Sequence, residues 1–273
     1  MPRINAVSFH ENPSVEAICR IVVDAGFDSL EVSRPPFYRK LTTIGTRHMF
    51  AEWARRIGLG LYGFDCWVEV EPYAAFDATL AEFEQAVKFA VDIELGMIIT
   101  HDPWANVNGD RSPGECLRAN VELFRRVADM TAENQLGLVF EPHPDTLSIQ
   151  DNWAIDFIDA VATGRPTGSV GILYDCCHYG VGRPEDYLTA IAKLGQRIRH
   201  LHFSDGDGKT YALHLPLGEG QLDLAGIIAA LKGVSFSGTL TNDLYNYPLL
   251  EDGARRNAEP IRQVEIELGL TSP

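Results

Sequence analysis

Short apolar runs bounded by turn residues recur along the chain, near residues 4–9, 29–33, 59–64, 97–101, 137–141, 170–175, 198–203 and 238–243. They read as eight strands, and the stretches between them carry helical periodicity. Val15, Ile18, Val22 and Val23 line one face of the first helix, and Gly26 ends it. Phe83, Val87, Phe89 and Ala90 serve the third. Ser112-Pro113-Gly114-Glu115 opens the fourth as an N-cap, a proline at the first helical position and a capping-box glutamate. Later helices are expected at about 152–163, 185–194, 222–233 and 250–268. Strands alternating with helices through 273 residues, with no linker rich in Pro, Gly or Ser, predict the α/β class. The predicted architecture is a single (β/α)₈ TIM barrel domain over residues 1–273. A doubly wound open sheet would need a glycine-rich first turn, which Ser8-Phe9-His10-Glu11-Asn12-Pro13 is not.

The barrel changes how the polar residues read, because function gathers at the C-terminal strand ends. Glu141, Asp175, His202 and Asp243 close four consecutive runs there. Helix capping or ion pairing could account for any one of these acids. Together, three carboxylates and one imidazole form an oxygen-rich set suited to one divalent cation per chain, with Mn²⁺ preferred and Mg²⁺ or Co²⁺ as alternatives. Further polar groups sit at the same expected mouth. His178 follows Asp175 by three residues, on a loop that can turn it back, and His143 follows Glu141 by two. His101 ends the fourth run, His10 the first and Glu31 the second. His200 shares the face of His202 one layer deeper and is expected to orient a ligand, as Asp205 could. Phe9, Phe64, Trp67 and Trp104 are candidates for stacking on a sugar ring. Asp205-Gly206-Asp207-Gly208-Lys209 is a weak phosphate cradle, since two aspartates oppose an anion.

Composition narrows the partners. A hydrophobic content of 45% supports a sizeable core. Twenty-three basic against 38 acidic residues give a net charge of −15, which sets the chain against nucleic acid and anionic membranes. No run reaches the roughly 18 apolar residues of a membrane span, and the N-terminus carries no apolar signal core. The five cysteines are scattered with no paired spacing, so reduced thiols and a cytoplasmic location are expected.

Four segments carry a family resemblance: Phe140-Glu141-Pro142-His143, Tyr174-Asp175-Cys176-Cys177-His178, His200-Leu201-His202-Phe203-Ser204-Asp205, and His214-Leu215-Pro216-Leu217-Gly218-Glu219-Gly220 continuing to Asp223. The chain resembles, over essentially its whole length, the xylose isomerase-like barrel superfamily of sugar isomerases and epimerases. The pattern is near that of ketose 3-epimerases, hydroxypyruvate isomerase and inosose-processing enzymes. The resemblance implies metal ligands at Glu141, Asp175, His202 and Asp243, with His178 contacting substrate oxygens. The chain departs from the family at Asp243, where a glutamate is usual. Leu147 and Gly208 stand where the epimerase branch carries a glutamate and an arginine. Ala212 replaces the aspartate that the three-metal abasic-site endonucleases of the superfamily need.

The expected activity is isomerisation or epimerisation of a sugar- or polyol-derived hydroxy-ketone through a metal-stabilised enediolate. Glu141 and Asp243 would exchange the proton, assisted by His178. His143, His101, His10, Trp104 and Trp67 would contact the substrate. A lyase acting on an oxidised sugar is the alternative in the same site, with His143 or His101 as general acid. A phosphodiesterase and a non-catalytic sugar-binding barrel are remoter readings. The expected partner is a small sugar or polyol derivative, and a homodimer is allowed for.

Overall fold

The computed structural model describes residues 2–9 and 14–270. Eight parallel strands alternate with helices. They are β1 (Arg3–Asn5), β2 (Ser29–Ser33), β3 (Gly60–Asp65), β4 (Met97–Thr100), β5 (Gly137–Phe140), β6 (Val170–Asp175), β7 (Ile198–His202) and β10 (Thr239–Thr241). Each pairs with its sequence neighbour. The seam between first and last closes through Asn5 N donating to Asn242 O (2.9 Å) and Asn242 N donating to Arg3 O (2.8 Å). The TIM barrel expected from the alternation is therefore the fold. Between β7 and β10 lies a two-residue hairpin, β8 (Asp205–Gly206) and β9 (His214–Leu215), which the apolar pattern did not signal.

Helices form where stop and start signals agree with the periodicity. In α1 (Val15–Asp24), Ser14 accepts from Ala17 N at 3.1 Å, and Gly26 takes a positive φ of 93° just beyond the end. In the helix Pro113–Glu133 the predicted capping box is present between Ser112 and Glu115. β2 and β6 are buried along their whole length, as parallel barrel strands covered on both faces are. Outside β5, Phe140 meets Phe124 at 4.7 Å and Phe157 at 4.8 Å, centroid to centroid. This edge-to-face cluster fixes β5 against its two flanking helices, and truncating Phe140 to Ala would cost roughly 3–5 kcal/mol.

Three details of the mouth differ from the sequence reading. Cys176–Gly182 is a helix rather than a loop, because the Asp175 carboxylate caps it, accepting from His178 N at 2.7 Å. Glu31 lies in the middle of β2, fully buried below the mouth. The third strand reaches one residue further than expected, to Asp65. No helix among the described residues is long and apolar enough to cross a membrane.

Candidate metal centre

Glu31 organises the site from beneath. Its carboxylate accepts from His200 Nε2 (2.6 Å), His202 Nε2 (2.9 Å) and Thr241 Oγ1 (2.9 Å). Burial opposes charge there, but His202 and His200 outweigh it and hold the carboxyl well below its usual range. A charged Glu31 can only accept, so both histidines present N–H at Nε2. For His202 this directs Nδ1 upward. It lies 2.9 Å from Glu141 Oε1 and 3.5 Å from Asp175 Oδ2, yet in neither case along a hydrogen-bond direction.

The same convergence without bonding recurs around it. Donor atoms of Glu141, Asp175 and His202 all lie within 4.8 Å of one another, with Asp243 Oδ2 at 3.7 Å from His202 Nδ1. Asp175 Oδ2, His202 Nδ1 and His214 Nδ1 are buried without hydrogen-bond partners among the described residues. Three orphaned polar atoms in one place are costly unless something else satisfies them. A hard or borderline divalent cation fits this oxygen-rich donor set.

His214 is the member that sequence reasoning did not assign. It enters from β9, with Nε2 donating to Tyr211 O (3.0 Å) and Nδ1 facing Asp243 Oδ2 (3.3 Å) and Asp175 Oδ2 (4.0 Å). Asp205 clasps the loop that carries it, accepting from the backbone N–H of Gly206, Gly218, Gly220 and Leu222 at 2.8–3.1 Å. A side chain at Gly220 would collide with that carboxylate, which explains the glycine. Within the Asp205–Lys209 segment, Gly206 N donates to Asp205 and Lys209 N to Asp207 (2.8 Å each), so two donors a phosphate would need are taken by the segment's own carboxylates. A second histidine shortly after His202 was the available signal for His214.

Protons take up part of the charge here. Burial disfavours a charged His214, but Asp175 and Asp243 pull it up to about 9. His202 is likewise raised, against burial, by Glu31 and Glu141. Burial also opposes charge on Asp175, but His178, His214 and His202 keep it well below its usual range.

Above the carboxylates lies a cavity of about 240 Å³ lined by Glu141, His143, His178, His202, His214 and Asp243, and across the mouth by Asp65, Trp67, His101 and Trp104. His178 donates Nδ1–H to Pro142 O (3.1 Å), since a carbonyl can only accept. His143 packs against Trp104 (4.9 Å) and His178 (4.1 Å), and His101 against Trp104 (4.3 Å). Burial, then His178 and His101, hold His143 well below the usual imidazole range and so uncharged. Of the aromatic candidates, Trp67 and Trp104 line the cavity, whereas Phe9 and Phe64 belong to the core. His10 lies outside the described residues.

The xylose isomerase-like TIM barrel family matches residues 19–264. The chain belongs to that family. An uncharacterized protein of Methanocaldococcus jannaschii is 19% identical over 167 residues, 60% of this chain, and the match spans about half (55%) of that relative's length. Among solved structures, the IolI protein with a bound zinc atom superposes with a TM-score of 0.81 at 15% identity, covering 99% of each chain. A D-tagatose 3-epimerase-like protein gives 0.76 at 16% identity, covering 98% of this chain and 97% of that one. The probable 3-DHS dehydratase AsbF of Bacillus anthracis gives 0.76 at 16%, covering 96% and 98%. At these identities the likeness establishes the fold.

Proposed function

We propose that this chain is a divalent-metal-dependent isomerase or epimerase of a sugar- or polyol-derived hydroxy-ketone. The observation that carries the reading is the set of orphaned atoms, Asp175 Oδ2, His202 Nδ1 and His214 Nδ1, facing the Glu141 and Asp243 carboxylates. Glu141, Asp175, His202 and Asp243 would hold the ion, with Mn²⁺ first and Mg²⁺ or Co²⁺ as substitutes, and His214 adds a fifth donor. A divalent ion supplies Lewis acidity there, polarising a ketone and balancing developing negative charge.

The chain's own groups do the proton work. Glu141 Oε1 faces His202, while Oε2 lies on the His143 side (3.9 Å) and is available to take a proton from the carbon next to the carbonyl. Asp243 returns it: Oδ1 is fixed by Ser8 Oγ (3.1 Å), which leaves Oδ2 toward the site. His178 Nε2 contacts a substrate hydroxyl. An uncharged His143 is a poor proton donor to a leaving group, so elimination by a lyase in the same site would need His101 as its general acid. The partners in this reading are small molecules, consistent with a charge of −15.

The test is proton NMR of the Mn²⁺-loaded protein with a panel of ketoses in D₂O. Deuterium entering the carbon beside the carbonyl, together with a new isomer, is the expected result. Loss of a hydroxyl with formation of an unsaturated product would assign a lyase instead, and no exchange with any ketose would defeat the proposal.

A further inference from the structure

The end of the barrel opposite the mouth carries a cation that the proton transfer does not use. Pairing between β6 and β7 shifts register there: Ile172 partners Ile198 and Leu173 partners His200, so Arg199 is left over as a β-bulge. A bulge re-aims the side chain it carries. Arg199 crosses β6 at Gly171, where a Cβ would collide with Arg199 Cγ. Its guanidinium ends over Gly168, at the N-terminal end of β6, where a Cβ would lie 2.8 Å from Nη2. Two glycines and a bulge thus make room for one arginine side chain beneath the barrel.

The arginine is half-buried and has no hydrogen bond or ion pair among the described residues. Arg197, two residues earlier, pairs with Asp159 at 2.6 Å. Arg199 instead lines a cavity of about 200 Å³, and no aspartate or glutamate is among the described residues around it. The hydroxyls behind the cavity are already committed. Because Glu31 fixes N–H at His200 Nε2, Nδ1 accepts from Thr239 Oγ1, which accepts from Tyr62 Oη, at 2.7 Å each. Ser237, exposed at the rim and without a hydrogen bond among the described residues, is the hydroxyl left to face the space. A guanidinium offers a planar fork of donors that matches the oxygens of phosphate, and no acid here competes for it. The cavity is below the size of drug-sized sites, so it suits one such group rather than a nucleotide.

We propose that this pocket binds a phosphate group, as the free ion or as the terminal group of a small phosphomonoester, at the end of the barrel remote from the candidate metal centre. Arg199 donates to the phosphate oxygens from within the barrel end and Ser237 from the rim. The inference stands apart from the isomerase reading, since no residue of the mouth takes part in it.

The experiment follows the melting temperature of the full chain in sodium phosphate against sodium chloride of equal ionic strength, in the metal-free and Mn²⁺-loaded forms. Phosphate is expected to raise it saturably beyond chloride in both forms. The apparent affinity should fall at least about tenfold in Arg199→Gln. Ser237→Asp, at an exposed position that leaves the packing of the arginine intact, should weaken binding as much by setting a carboxylate beside it. Asp175→Ala, at the other end of the barrel, should change it by less than about threefold. A rise that persists undiminished in Ser237→Asp, one that Asp175→Ala abolishes, one seen only with Mn²⁺, or none beyond chloride would overturn the pocket. Glycerol 3-phosphate separates the two sources: tighter binding than phosphate, still lost in Ser237→Asp, assigns a phosphomonoester, and equal or weaker binding assigns the free ion.

Discussion

Two layers of the barrel interior share one carboxylate and differ in every other respect. Below Glu31, polar groups close on one another. Tyr62 Oη and Thr239 Oγ1 are 2.7 Å apart, Thr239 meets His200 Nδ1 at 2.7 Å, His200 Nε2 reaches Glu31, and the Arg3 guanidinium lies 3.7 Å over the Tyr62 ring. Above Glu31, His202, His214 and Asp175 bring together atoms with no hydrogen-bond partner among the described residues. A buried polar network is stable when each member is satisfied. The lower layer meets that condition from the chain alone. The upper one does not, and its shortfall marks where something else belongs. His200 and His202 show the contrast most simply, since they are two residues apart on one strand and donate to the same carboxylate.

The largest test of this contrast removes the shared group. Glu31→Gln leaves two buried histidines without their anion and should cost roughly 3–5 kcal/mol of stability in a denaturant titration. It should also lower Mn²⁺ affinity by roughly 10–100-fold, because the tautomer and aim of His202 are no longer fixed. A variant that binds Mn²⁺ as tightly as the parent would separate the two layers and contradict the account.

A smaller effect follows from protonation. Because His214 is raised from its ordinary 6.5 to about 9, its contribution to metal-free stability is fully present below pH 6.5 and lost as pH rises through about 9. That loss amounts to no more than about 3 kcal/mol. Asp175 and Glu31, both depressed, act oppositely, contributing above their ordinary values of 3.8 and 4.5 and losing that contribution as pH falls. The metal-free melting temperature should therefore fall between pH 6.5 and 9, and Mn²⁺, which replaces the proton, should abolish the fall. An alkaline decline that is the same with and without Mn²⁺ would show that the upper layer does not exchange a proton for a cation.

The sequence carried the outline of this arrangement and missed its supports. Acids and a histidine closing successive apolar runs located Glu141, Asp175, His202 and Asp243, because strand ends in a barrel are fixed by alternation alone. Glu31 was misplaced to the rim, since the apolar pattern of β2 does not tell how deep a strand position sits. Asp65 fell one residue beyond the expected third strand, and the same acid-at-strand-end rule would have found it. His214 rides on a loop whose position depends on the Asp205 clasp, a long-range contact that no local periodicity encodes. His178 was placed on a loop because its helix begins with a cap that is itself a candidate ligand.

The central claim is that the orphaned atoms of the upper layer form one cation site. Isothermal titration of the metal-stripped protein with Mn²⁺, beside an Asp175→Ala variant, tests it most directly. The account predicts about one ion per chain, with proton release on binding, and loss of that binding in the variant. No binding by the parent chain, or two or three ions of similar affinity, would contradict it.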